Sequence, residues 1–149
     1  MMAIVKANYV PQAQSGRIGR SVAYYTWREG ADQQPRPWHD QDGRELHYDA
    51  AKVEVGEHAS EASFTYRIVL STRDAQLDHE QYAAVLNDHF DDFYLTTHHA
   101  GEHPHAHAIA FSDHRLSAGE LGEMREHLQE LEIEREQQLE LDPLNERSF

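Results

Sequence analysis

Five of the twelve histidines in this chain fall within ten positions, 98–107. The stretch HPHAHAIAFS (103–112) that holds the last three reads as a β-strand. Alternate side chains of a strand share a face. His105 and His107 therefore project side by side, and Ala106 and Ala108 point to the opposite face. DFYLTTHH (92–99) reads as a second strand and AGE (100–102) as a turn, so the two strands are expected to pair antiparallel. That turn returns His98-His99 to the side of His105. Three imidazoles on one cation leave coordination positions open, the arrangement of a catalytic metal rather than a closed structural site. His105 and His107 supply two ligands. The third is His98 or His99, according to the register of the hairpin. His103, ahead of Pro104, falls in the turn, where it orients the loop or faces solvent. The absence of cysteine excludes disulfides and thiolate metal sites. Neutral imidazoles accept Zn²⁺, Mn²⁺, Co²⁺ or Ni²⁺.

The rest of the chain supplies a scaffold for this hairpin. AIVKANYV (3–10) reads as a strand and PQAQSG as a loop. Residues 17–28 read as a helix with Ile18, Val22 and Tyr25 on one stripe, and Gly30 as its stop. Residues 31–47, with Pro35, Pro37 and the DQDG turn, read as loop, and 48–59 as a short helix. SFTYRIVLST (63–72) is a strand. Asp78 and Gln81 form a capping box that opens a helix with Tyr82, Val85, Leu86 and Phe90 on its apolar face. Ser117 and Glu120 open a last, acidic helix over about 117–140, with one buried seam of Leu121, Met124, Leu128 and Leu131. This order predicts an α+β fold: a mainly antiparallel sheet flanked by helices, in one domain over 1–149 with its core at 3–112.

Charge bears on the partner. The formal net charge is −14, and Lys6 and Lys52 are the only lysines. Such a surface suits solubility in high salt and repels phosphates in ordinary salt. The charge is uneven, however. Residues 1–30 carry a local +3 from Lys6, Arg17, Arg20 and Arg28 against Glu29, whereas 114–149 carry −6. The first of these ends can still meet a polyanion. No apolar run approaches the length of a membrane span and no signal-peptide pattern opens the chain, so a cytoplasmic location without membrane contact is expected.

GRSVAYYTWREG (19–30) adds the second chemical element. Arg20, Tyr24 and Arg28 share one helix face, whereas Tyr25 lies on the apolar stripe. Paired aromatics on an amphipathic helix are ordinarily core. A tyrosine beside guanidinium groups and a metal can instead attack a phosphodiester. The metal polarises the phosphate, and Arg20 and Arg28 hold its non-bridging oxygens. The product is a phosphotyrosine ester. Both Tyr24 and Tyr25 remain candidates at this point.

EHPHAHAIAF closely resembles the histidine–hydrophobic–histidine motif of HUH endonucleases. GRSVAYYTWREG resembles the nucleophile helix of mobilisation relaxases, and YRIVLST their middle strand. The order also fits, since relaxases carry the tyrosine before the histidines and no tyrosine follows Tyr94. The likeness spans roughly residues 3–112. It implies nicking of one DNA strand at a transfer origin, with a divalent ion, Mn²⁺ or Mg²⁺, held by three histidines. The 5′ phosphate becomes linked to tyrosine, and accessory DNA-binding proteins are possible partners. Carried over, His105 and His107 match the motif pair, and His98 matches the upstream histidine when no gap is allowed. Tyr25 matches the nucleophile, three residues before Arg28, with Tyr24 in reserve. Two other readings use the same residues. One is a DNA-binding accessory relative that does not cut. The other is a histidine-based metallohydrolase on another substrate, for which Glu102 and Asp113 are the nearby acids.

Overall fold

A computed structural model describes residues 3–27, 35–98 and 103–141. Its sheet is built from β1 (Ile4–Val10), β2 (Trp38–Asp40), β3 (Glu45–Leu46), β4 (Phe64–Ser71), β5 (Asp92–His98) and β6 (His105–Ser112). The strand order is β1-β4-β6-β5-β2-β3, and every neighbouring pair is antiparallel. Among the described residues four α-helices accompany it: α1 (Ile18–Trp27), α2 (Tyr48–Glu61), α3 (His79–Asn87) and α4 (Ala118–Leu141). The fold is therefore α+β, an antiparallel sheet flanked by helices.

The sheet separates two apolar layers. On one face Tyr66, Ile68, Leu70, Phe93, Leu95 and the three alanines 106, 108 and 110 of β6 meet Tyr82, Val85 and Leu86 of α3 and Met124 and Leu128 of α4. On the other, Tyr94, Ile109 and Phe111 meet Ile18 and Val22 of α1 and Ala51, Val55 and Ala59 of α2. The alternation of β6 dictates this division. Its even positions up to 110 are alanines, and its odd positions begin with the two histidines.

Local sequence signals explain most of the boundaries. The Asp78 carboxylate accepts from Gln81 N–H at 2.9 Å, and the Gln81 side chain accepts from Asp78 N–H at 3.0 Å. Ser117 Oγ likewise accepts from Glu120 N–H at 3.1 Å at the start of α4. Two loop expectations are corrected. Residues 12–17 wind into a 3₁₀ turn that leads directly into α1. The segment expected as loop over 31–47 contains the β2–β3 hairpin, turned at Gly43 with a positive φ of 83°. Helix α2 reaches Glu61, two residues beyond the expected end. The expected helix stop at Gly30 and the turn at 100–102 lie outside the described residues. No helix among the described residues is long and apolar enough to cross a membrane.

The β2 hairpin holds α1 in place. Trp38 is fully buried, and its Nε1–H donates to Thr26 Oγ1 at 2.8 Å. That hydroxyl donates in turn to Val22 O at 2.7 Å. Arg36 N–H donates to Thr26 O at 3.0 Å, and Thr96 Oγ1 of β5 donates to Pro37 O at 2.9 Å. Thr26 follows Tyr25 directly, so these bonds set where Tyr25 sits on the sheet. Replacing Trp38 by Phe removes the indole donor and leaves a void beside a buried hydroxyl. A loss of about 1–3 kcal/mol in unfolding free energy is expected, measured by urea denaturation.

Candidate functional site

Three imidazoles converge at one end of the sheet. His98 closes β5 and pairs directly with His105, the first residue of β6. His107 stands two residues further along the same face. The ring centroids are 4.9 Å apart for His98–His105, 4.8 Å for His98–His107 and 4.9 Å for His105–His107. They form a nearly equilateral triangle. One ligand nitrogen from each lies within 4.8 Å of the others, close enough to hold one metal ion, and this is the only such group among the described residues. His98 and His107 are buried and His105 is half-buried, so the cluster opens to solvent on one side.

Hydrogen bonds orient two of the rings. A carbonyl can only accept, so His98 Nε2–H donates to Tyr25 O at 3.0 Å, which leaves Nδ1 of the neutral ring with its lone pair. His105 Nδ1–H donates to His103 O at 3.0 Å, which leaves Nε2 free for a ligand bond. His103 donates from Nδ1 to Arg73 O at 2.9 Å, and Arg73 N–H donates to Glu132 Oε2 at 2.7 Å. A fully buried carboxylate on α4 thus anchors the loop that anchors the histidine strand. His103 orients the loop, one of the two roles its position allowed. Glu132, adjoining the expected apolar seam of α4, was not expected in the interior.

Tyr25 arrives from above. Its ring lies parallel to that of His107, 4.1 Å away and tilted by only 9°. It also packs against Trp38. Tyr24 is 54 % exposed and touches Tyr25 edge-on. The helix periodicity that placed Tyr25 on the stripe of Ile18 and Val22 therefore places it on the histidines as well. Arg20 is exposed at the opening of α1 and lines a cavity with Arg17 and Arg67. Arg28, His99 and Glu102 lie outside the described residues.

Asp113 is not at this site. It follows the far end of β6, eight positions from His105 or about 25 Å along the strand. There it pairs with His114 at 2.9 Å, and His114 Nε2 meets Glu120 at 3.1 Å. Asp113 first and Glu120 second raise the His114 pKa above its usual 6.5. His114 in turn holds Glu120 below its usual 4.5. The raised imidazole value stabilises the fold fully below about pH 6.5 and is lost as pH rises through the folded value. The lowered carboxylate value acts above about pH 4.5 and is lost on acidification. Both contributions coexist between these limits. A small fall in urea midpoint from about pH 6 to pH 8 is expected, and it should shrink in His114→Gln. The effect is small because solvent screens exposed pairs.

No protein-family model and no curated protein matches this chain.

Proposed function

We propose that this chain is a metal-dependent nuclease of relaxase type within the HUH endonucleases, with Tyr25 as its nucleophile. The reading is supported by one convergence: the tyrosine helix lies directly on a triangle of imidazoles, with the Tyr25 ring stacked on His107. His98, His105 and His107 would hold a divalent ion, Mn²⁺ or Mg²⁺. All three donors are imidazoles, two with their tautomers set by backbone carbonyls. When bound, the ion supplies positive charge to the non-bridging oxygens of the scissile phosphate.

The chain's own residues do the rest. Tyr25 Oη forms the new bond to phosphorus at the 5′ side of the break. The bond from phosphorus to the 3′ oxygen breaks, and the proton lost by the phenol ends on that oxygen. One phosphodiester replaces another, so the step is reversible. A strand held on Tyr25 can therefore be passed to a new 3′ hydroxyl. The bonds from Trp38, Arg36 and His98 fix α1 so that the phenol need not search for its position.

The test is incubation with a broad pool of single-stranded oligonucleotides in Mn²⁺ or Mg²⁺, read on denaturing gels. A covalent protein–DNA adduct that disappears with EDTA is the expected result. DNA binding without an adduct would point to an accessory relative. Cutting that survives loss of both Tyr24 and Tyr25 hydroxyls would point to a metallohydrolase.

A further inference from the structure

The start of α1 and the adjoining sheet frame a cavity of about 200 Å³ lined by three arginines, Arg17, Arg20 and Arg67, beside Gln14 and Ser21. Acidic residues outnumber lysines and arginines 27 to 13 in this chain, yet none lines this cavity. Among the described residues none of the three arginines forms an ion pair. Arg44, by contrast, binds Asp40 and Glu54, and Arg73 approaches Asp74. Arg67 Nε is buried without a hydrogen-bond partner among the described residues. A buried donor left without an acceptor costs free energy that a bound anion would recover. The backbone at the helix start is not the source of the attraction, because Ile18 N–H is already taken by Ser15 O.

We propose that this cavity is a phosphate-binding site. Guanidinium groups present paired donors whose spacing matches two oxygens of one phosphate. Three arginines around one cavity can share more than the two oxygens a carboxylate offers, which a phosphate supplies, and no carboxylate of the chain lines the cavity. The phosphate belongs either to a nucleic-acid backbone or to a small phosphate compound. The first source rests on the nicking reading, and the second does not.

Placement on the sheet favours a backbone. Arg67 pairs with Ile109, two residues from His107, which is about 7 Å along the strand. Exposed Lys6 of the edge strand β1 pairs with Val69, itself paired with His107. A polynucleotide lying over β1 and β4 would meet the arginine cavity, Lys6 and then the histidine triangle. This accounts for where the positive charge of an acidic chain is concentrated.

The experiment has two arms, both in EDTA so that no metal contributes. In the first, melting temperature is compared in inorganic phosphate and in chloride at equal ionic strength. In the second, a fluorescent thymidine oligonucleotide is titrated across a range of salt. Both use wild type, the Arg17→Gln/Arg20→Gln double variant and Arg67→Gln. Arg17 and Arg20 are exposed, so the double variant reports binding even if Arg67→Gln folds poorly. Oligonucleotide affinity is expected to fall about tenfold in each variant, and the salt slope by about 0.7 for each phosphate no longer neutralised. A response confined to the inorganic phosphate arm would also uphold the site and assign it to small phosphate compounds. Wild type and variants behaving alike in both arms would overturn it. Nicking is scored separately. A wild type that binds through these arginines but never cuts removes only the nuclease reading. One that cuts while the arginine variants bind normally removes only the phosphate site.

Discussion

Tyr25→Phe is expected to abolish adduct formation on single-stranded DNA, with cutting reduced by at least about a thousandfold. The substitution removes the phenol oxygen and keeps the ring. Phenylalanine keeps the parallel stack on His107 at 4.1 Å and the packing against Trp38. The backbone carbonyl that accepts from His98 is unchanged. Metal binding, DNA binding and melting temperature should therefore stay near wild type while the covalent step is lost. Tyr24→Phe is the matched control. Its ring is 54 % exposed and meets Tyr25 edge-on rather than stacking on the histidines as Tyr25 does, so cutting should persist. The opposite pattern, a dead Tyr24→Phe and an active Tyr25→Phe, would move the nucleophile to the exposed ring and require α1 to turn during catalysis.

The second large effect concerns the imidazoles. Single replacements of His98, His105 or His107 by Ala should each weaken Mn²⁺ binding by more than about a hundredfold, followed by electron paramagnetic resonance of the free ion. Even loss of a residue that merely orients a ligand costs about 10–100-fold, and in the proposed reading these three would be the ligands themselves. The three variants should be about equally impaired, since the centroid triangle has nearly equal sides. His103→Ala tests the other extreme. Its side chain holds Arg73 O, whereas its backbone carbonyl holds His105, so a much smaller loss is expected. Equal loss for His103 and the three ligands would mean that the cluster is not the metal site.

The parts of the molecule legible in its sequence are those set by local rules. Strand alternation placed His105 and His107 on one face and the alanines on the other, because period two needs no knowledge of the partner strand. Helix capping at Asp78 and Ser117 is equally local. The His98–His105 pairing was open until the register was seen, because a short turn can close in more than one way. The β2–β3 hairpin was missed for a different reason. Strands of three and two residues carry no measurable period, and Trp38 stands alone between prolines and a turn. Its meaning comes from Thr26, twelve positions earlier, a distance over which sequence pattern is silent. Arg67 is similar. In YRIVLST it reads as one polar position of a strand, and only the packing of the 3₁₀ turn ahead of α1 against β4 brings Arg17 and Arg20 beside it.

The alternation of β6 also guards against misassembly. Were the strand to slide by one position against β4 and β5, both imidazoles would be pressed between the sheet and α3/α4, and methyl groups would replace them under α1. Polar rings sealed in that apolar layer would forfeit their partners, while the alanines would leave voids where Ile109 and Phe111 now fill space. A shifted hairpin is thus penalised on both sides at once. The residues that make the chemistry conceivable are also the proofreaders of the pairing that assembles it.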